Sequence, residues 1–129
     1  MIAGVHDLLV RLKAEGYRLA VVSNHWAWLL DFLRKEGLSG YFEAIIVSEL
    51  VGVEKPNVRI MELALEQLNL PAVDCLYVGD QEMDVLCAKR AGMDMVWIAP
   101  DHAVLRADLG CREDYRIHSV LDLEVLLLQ

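Results

Sequence analysis

The chain has 129 residues, of which 56% are hydrophobic, and a formal net charge of −8. This length suits one domain with a buried core, whereas the acidic balance argues against a binding surface for nucleic acid or anionic membranes. No apolar run approaches the roughly 18 residues that span a bilayer, and the N-terminus lacks the basic flank and apolar stretch of a signal peptide, so we expect a cytoplasmic protein.

Strand patterns and helix patterns alternate along the chain. The first helix is predicted from Val5 to about Gly16, because apolar residues recur at helical spacing, and the second begins at Trp26 and ends near Gly37. A third helix follows Pro56 with Asn57 as its N-cap, a fourth covers 85–91, and the last opens after Ser119. The predicted strands are 18–22, 44–47, 76–78, 95–98 and 115–117.

This alternation predicts the fold class. Strands that alternate with helices form βαβ units, in which a parallel sheet is covered on both faces. Strands that are continuously apolar fit that burial. We therefore predict one α/β domain over residues 1–129, a Rossmann-like three-layer α/β/α fold with a mostly parallel sheet. Ligands of such sheets bind outside the carboxyl ends of the strands.

Two carboxylates follow one of these strands. The apolar run ends at Gly79, and Asp80 and Asp84 come directly after it. Paired carboxylates at the mouth of a site suit Mg²⁺, which is commonly held by one or two carboxylates together with waters and phosphate oxygens. The alternative is structural: Asp80 caps the next helix and Asp84 lies on its solvated face.

Two further strand-end features could bind an anion. Ser23 and Asn24 end a strand where a helix begins, and free backbone N–H groups at a helix N-terminus attract anions. The alternative is that either residue only caps the helix. Lys55 precedes the helix-starting Pro56, where its ammonium group could balance phosphate charge. The alternative for Lys55 is an exposed loop lysine.

In chain order these features resemble the motifs of a known family. Ser23, Lys55 and the Asp80/Asp84 pair are similar to motifs II, III and IV of the haloacid dehalogenase-like (HAD) hydrolase superfamily, whose members are mostly phosphatases. The stretches Gly52-Val53-x-Lys55-Pro56, Val78-Gly79-Asp80 and Ala91-Gly92-Met93 are typical of its phosphatase-like branch, and the resemblance runs from about Gly4 to Pro100.

The resemblance implies roles for these residues. Ser23, Asn24 and Lys55 would bind the phosphoryl group of a small phosphorylated substrate. Asp80 would be a direct Mg²⁺ ligand, and Asp84 a ligand or its support. In the complete enzymes of the family, the first Asp of motif I, DxDx[TV], is the nucleophile and forms an aspartyl-phosphate.

Motif I does not occur in this sequence, and neither does the helical cap domain that many members insert after it. The resemblance therefore implies an incomplete core, without the first strand, that is inactive by itself. In the family that strand lies between those that correspond to 18–22 and 76–78. Because unpaired strand edges recruit other chains, we expect one of three outcomes: the two strands pair directly, a second copy fills the gap, or a separate polypeptide that carries motif I fills it.

Two other functional classes fit parts of the pattern. A degenerate domain of the same family could serve as a non-catalytic binding or regulatory subunit, although it would not need all four polar residues. A phosphoacceptor receiver domain also uses strand-end aspartates, a hydroxyl and a lysine. Its acidic pair comes first and its lysine last, whereas here the order is Ser23, Lys55 and then the acidic pair.

Overall fold

The structure is a computed structural model that describes residues 4–24 and 28–128. The strands are β1 (Ala20–Ser23), β2 (Ala44–Val47), β3 (Leu76–Gly79), β4 (Asp94–Ile98) and β5 (Tyr115–Ile117). The helices are α1 (Val5–Ala14), α2 (Trp28–Lys35), α3 (Ser48–Val51), α4 (Arg59–Leu68), α5 (Glu82–Arg90) and α6 (Leu123–Leu127). In the described part of the chain, no helix is long and apolar enough to cross a membrane.

The predicted strands are all present: β2 and β5 have the predicted bounds, and the ends of the other three differ by at most two residues. The predicted capping side chains make local contacts, but α4 has Val58 as its N-cap, one residue after Asn57, and Ser119 caps the 3₁₀ turn Val120–Asp122 that leads into α6. The backbone N–H of Arg59 donates to Oδ1 of Asn57 at 2.9 Å, and the N–H of Leu121 donates to Oγ of Ser119 at 3.3 Å. The predicted start of the second helix at Trp26 lies outside the described residues. The short helix α3, directly after β2, has too few residues to give a helical period and was not predicted.

The strands pair in parallel, and the predicted α/β fold class is confirmed. They form two sheets: β1 pairs with β2, and the second sheet has the order β3-β4-β5. Direct pairing of β1 with β3, the first of the three expected outcomes, is therefore wrong. The filling of this gap by a second copy or by a separate polypeptide remains a prediction.

Helices cover both faces of the two sheets. On one face, Leu8 and Leu12 of α1 pack on the β4 and β5 side, whereas Leu9 of the same helix packs on the β1 and β2 side. On the other face, one buried cluster joins both sheets with α4 and α5; its members include Ile46, Ile60, Met61, Val85 and Met95. The three layers are thus continuous, although the hydrogen bonding of the middle layer is interrupted between β1 and β3.

Candidate functional site

The predicted polar residues lie at the carboxyl ends of the strands. Ser23 is the last residue of β1 and Asn24 follows it, while Asp80 follows Gly79 at the end of β3. Lys55 lies in the loop between α3 and α4, and its peptide bond to Pro56 is cis. Because parallel strands deliver their carboxyl ends to one edge, these loops from three parts of the chain meet there.

The central contact of the site is a buried ion pair. Nζ of Lys55 lies 2.6 Å from Oδ1 of Asp84, and the two side chains are only 10% and 4% exposed. The other carboxylate oxygen, Oδ2, accepts hydrogen bonds from the backbone N–H groups of Asp80 at 3.1 Å and Gln81 at 3.0 Å. Lys55 is therefore not an exposed loop lysine, and that alternative is wrong. The structural alternative for the acidic pair is wrong in part: Asp84 is buried instead of lying on a solvated face, and it is the carboxylate of Asp84 that accepts the backbone N–H groups at the start of α5.

Gly79 makes room for this carboxylate. A Cβ atom at position 79 would lie 2.5 Å from Oδ2 of Asp84 and 2.6 Å from both its Cβ and its Cγ. Real Cβ atoms do not come this close to other heavy atoms. The glycine before Asp80 is thus required by packing, because only a residue without a side chain lets Asp84 fold back against the end of β3.

Tyr77, in the middle of β3, is a member of the site that the sequence reasoning missed. Its hydroxyl donates to the backbone carbonyl of Val22 on β1 at 2.9 Å and accepts a hydrogen bond from Nζ of Lys55 at 3.1 Å. In the sequence, Tyr77 is simply one residue of an apolar run. The available signal was the hydroxyl itself, since a tyrosine in a buried strand needs a polar partner.

These contacts keep Lys55 charged. Burial alone would lower the pKa of the Lys55 ammonium group, but the neighbouring Tyr77 and Asp84 outweigh it and leave the pKa above its usual value. Burial raises the pKa of Tyr77, so that its hydroxyl stays protonated at neutral pH. The site therefore holds a fixed cation beside a neutral hydroxyl group.

Asn24 anchors the loop that carries Lys55. The backbone N–H of Lys55 donates to Oδ1 of Asn24 at 2.8 Å, and Nδ2 of Asn24 donates to the carbonyl of Lys55 at 3.1 Å. Nδ2 also lies 3.4 Å from the sulfur of Met83. These contacts use both the amide oxygen and the amide nitrogen of Asn24, which favours a positioning role over direct binding of phosphate.

Ser23 and Asp80 have side chains that are free to meet a ligand. Within residues 4–24 and 28–128, the Ser23 hydroxyl and the Asp80 carboxylate make no hydrogen bond or ion pair. The backbone of Asp80 is nevertheless fixed, because its carbonyl accepts a hydrogen bond from Nε1 of Trp97 at 3.1 Å and its N–H bonds to Asp84. Asp80 is exposed and Ser23 is half-buried.

This arrangement fits Mg²⁺ in part. The free carboxylate of Asp80 can serve as one hard oxygen ligand, whereas both oxygens of Asp84 already contact protein groups. No group of three or more metal-ligating side chains occurs in the described part of the chain. A site with a single protein carboxylate suits Mg²⁺ only when phosphate oxygens and waters complete its shell.

The sequence matches a known family. The sequence profile described as haloacid dehalogenase-like hydrolase matches residues 1–98. The chain is 36% identical over 93 residues to a phosphoglycolate phosphatase of Colwellia psychrerythraea, covering 71% of this chain and 41% of that protein. It is 35% identical over 102 residues to a glyceraldehyde 3-phosphate phosphatase of Pyrococcus abyssi, covering 74% of this chain and 41% of that protein.

The fold matches solved structures of the same family. The putative HAD-hydrolase YfnB of Bacillus subtilis, solved with bound magnesium, superposes with a TM-score of 0.82 at 27% identity. The superposition covers 99% of this chain and 55% of that one. The chain thus spans about two-fifths of the length of the two phosphatases named above and about half of this structure.

Proposed function

Because this chain belongs to the haloacid dehalogenase-like hydrolase family, we propose that it forms the phosphate-binding part of a Mg²⁺-dependent phosphatase. The proposed substrate is a small phosphorylated metabolite. The observation that carries the proposal is the buried Lys55–Asp84 pair at the carboxyl end of a parallel sheet. A permanently charged ammonium group there has no structural partner beyond Asp84 and Tyr77 among the described residues, and it suits a phosphate group.

In this proposal each residue acts on the phosphoryl group in a different way. Lys55 supplies positive charge from a fixed position, because Asp84 and Tyr77 hold Nζ on two sides. Preorganised charge of this kind stabilises the charge of a phosphoryl group as it is transferred. Ser23 donates its free hydroxyl to a phosphate oxygen, and Asn24 acts indirectly by holding the Lys55 loop.

Asp80 is the residue that would hold Mg²⁺ through its free carboxylate. When bound, the ion would offset the negative charge of the phosphate oxygens. Asp84 supports this arrangement, because its carboxylate accepts a hydrogen bond from the backbone N–H of Asp80 and pairs with the ammonium group of Lys55. Its proposed role is therefore to position the two groups that meet the ligand.

The nucleophile of the proposed reaction is not among the 129 residues, which contain no DxDx[TV] sequence. We therefore propose that the chain alone binds phosphate without turning over a phosphate ester. The alternative, a non-catalytic binding subunit, makes the same prediction for the isolated chain. The DNA upstream of Met1 separates the two: an in-frame strand that ends in DxDx[TV] favours the enzyme, and its absence favours the binding subunit.

The proposal is tested by titrating the chain with inorganic phosphate, with and without Mg²⁺, and following binding by ³¹P NMR or calorimetry. Replacing Lys55 by Met should weaken phosphate binding about tenfold or more, because a charged hydrogen bond is worth about 1.5–3 kcal/mol. Asp80→Asn should remove only the part of the affinity that depends on Mg²⁺.

Lys89→Met is the matched control, since Nζ of Lys89 also lies 2.8 Å from an aspartate, Asp114, but far from this site in the fold. Lys89→Met should bind phosphate as tightly as the original chain, and the proposal fails if Lys55→Met does so as well. Clear Mg²⁺-dependent hydrolysis of an aryl phosphate by the pure chain would instead overturn the prediction that the chain alone is inactive.

A further inference from the structure

The indole of Trp97 contacts the site from the neighbouring strand. Trp97 belongs to β4 and is paired in register with Gly79, the residue before Asp80. Its side chain is 4% exposed, and Nε1 donates a hydrogen bond to the backbone carbonyl of Asp80 at 3.1 Å. A buried indole N–H usually finds an acceptor. Here the acceptor belongs to the residue whose carboxylate is proposed to hold Mg²⁺.

This contact helps to hold the peptide group between Asp80 and Gln81 at both ends. Its carbonyl accepts from Nε1 of Trp97 at 3.1 Å, and its N–H donates to Oδ2 of Asp84 at 3.0 Å. The N–H of Asp80 also donates to Oδ2 of Asp84, at 3.1 Å. Because peptide groups are planar and those on both sides of the Asp80 Cα are held, the φ and ψ angles of Asp80 are fixed, and so is the direction of its Cα–Cβ bond.

The fixed backbone limits the freedom that Asp80 must lose when Mg²⁺ binds. The residue is exposed, and its carboxylate makes no hydrogen bond or ion pair within residues 4–24 and 28–128. A metal ligand on a loose backbone must be ordered when the ion binds, and the entropy lost at that step weakens binding. For Asp80 only the side-chain torsions remain to be ordered, because the folded chain already holds the backbone.

The indole is in turn held by Arg116 of β5. The guanidinium carbon lies 4.6 Å from the centroid of the Trp97 ring, which is within the range of a cation–π contact. The carboxylate of Glu113, which is buried, accepts from Nε of Arg116 at 2.9 Å and from Nη2 at 2.8 Å. Nη1 donates to three backbone carbonyls of the loop after β4, those of Pro100, Asp101 and Ala103. The guanidinium therefore cannot turn away from the indole without breaking these hydrogen bonds.

We propose that Trp97 is a positioning residue for Mg²⁺ binding: its indole N–H fixes the backbone of Asp80, and Arg116 keeps the indole in place. The proposal rests on the proposed function in one respect, the assignment of Asp80 as the Mg²⁺ ligand. The contact between the indole and the backbone does not depend on that assignment. The proposal also gives a role to the loop at 100–103, because its carbonyls fix the guanidinium that covers the indole.

The first measurement is ¹⁵N relaxation of the chain without ligand. Trp97→Phe keeps a buried aromatic ring and removes the N–H donor. In the original chain we expect the amides of Asp80 and Gln81 to have order parameters of about 0.85, the value of rigid backbone. In Trp97→Phe both order parameters should fall clearly below that value, whereas that of the Val78 amide, inside β3, should not change.

The second measurement is the affinity for Mg²⁺ in the presence of inorganic phosphate, followed by calorimetry. Trp97→Phe should weaken Mg²⁺ binding about twofold to tenfold, the equivalent of one net hydrogen bond. Phosphate binding without Mg²⁺ should not change, because Lys55 keeps its contacts. Tyr17→Phe is the matched control, since the Tyr17 hydroxyl also donates to a backbone carbonyl, that of Leu127, at 3.2 Å. This control should leave both affinities unchanged.

Arg116→Lys tests the contact behind the indole. Lysine keeps a cation beside Glu113 but lacks the planar face and the fork of donors of arginine. If Arg116 acts through the indole, Arg116→Lys should weaken Mg²⁺ binding in the original chain and have no further effect in Trp97→Phe. Equal weakening in both backgrounds would overturn the role of Arg116.

The proposal is overturned if Trp97→Phe binds Mg²⁺ as tightly as the original chain, or if the order of Asp80 and Gln81 does not change. Equal losses of phosphate binding with and without Mg²⁺ would also overturn it, because they indicate a general loss of structure.

Failure of the proposed function has a different signature, since Mg²⁺ then has no effect on phosphate binding by the original chain. Relaxation still decides in that case whether Trp97 fixes the backbone of Asp80. If Trp97→Phe does not fold, the indole N–H signal of Trp97 in the original chain is decisive. It should exchange slowly with water and shift when Mg²⁺ binds, and the absence of either behaviour overturns the proposal.

Discussion

Replacement of Gly79 by alanine tests whether the buried carboxylate of Asp84 determines the end of β3. The new methyl group would lie 2.5 Å from Oδ2 of Asp84 and 2.6 Å from its Cβ and Cγ. Asp84 cannot move aside cheaply, because it is 3% exposed, pairs with Lys55 and accepts two backbone N–H groups at the start of α5.

The size of the effect follows from two opposing terms. Overpacking of a tight core costs about 1–3 kcal/mol, and the rigid neighbour places this substitution near the upper end. Alanine recovers about 0.5–1 kcal/mol that glycine costs in a strand. The net loss in the free energy of unfolding is therefore about 2 kcal/mol. It would approach the 3–5 kcal/mol of a broken buried ion pair if Asp84 were driven away from Lys55.

Urea unfolding followed by circular dichroism measures this loss. The control is Gly40→Ala: Gly40 has no positive φ, and no heavy atom lies within 4 Å of an added Cβ. Its unfolding free energy should change by no more than about 0.5 kcal/mol. If Gly79→Ala were as stable as Gly40→Ala, the packing of Asp84 against Gly79 could not be the reason for glycine at this position.

Two further predictions concern charge. Lys55→Met should lower the free energy of unfolding by about 3–5 kcal/mol, because it leaves the carboxylate of Asp84 buried without its cation. Lys89→Met, in a more exposed pair, should lower it by no more than about 1 kcal/mol. Equal losses in urea unfolding would contradict the importance of the buried pair. Burial raises the pKa of the Cys87 thiol from 9.0 to about 11. Between pH 9 and about 11 the unfolded chain loses this proton while the folded chain keeps it, so the free energy of unfolding should fall as the pH rises through this range. In urea unfolding at the same pH values, Cys87→Ala should show a shallower fall.

Local sequence patterns predict much of the fold. Each strand is an apolar run bounded by turn residues, and the side chains of Asn57 and Ser119 bond backbone N–H groups within one residue of where the sequence predicts helix starts. Capping depends on groups two or three residues apart, so the chain carries that information locally. The strand-end positions of Ser23 and Asp80 are predicted from the ends of the apolar runs, and the loop of Lys55 meets them because a parallel sheet brings its carboxyl ends to one edge.

The roles of the polar residues needed the tertiary structure. The sequence leaves Asp84 as either a Mg²⁺ ligand or the support of Asp80. In the structure the carboxylate of Asp84 is buried and both its oxygens are bonded, whereas that of Asp80 has no partner among the described residues. The two differ because α5 turns Asp84 inward over Gly79, toward Lys55. The burial of the Asp84 carboxylate depends on Lys55, which lies 29 residues away in the sequence, and the spacing of neighbouring residues does not predict such a contact.

The sequence by itself determined the order of helices and strands, the family resemblance and the strand ends at which polar residues gather. Only the tertiary structure decided that the middle layer is interrupted between β1 and β3 and that Tyr77 bridges the two sides to reach Lys55. The physical reason is the range of the forces concerned. Periodicity and capping act over a few neighbouring residues, whereas the pairing of strand edges and the burial of a charge depend on segments that meet only after folding.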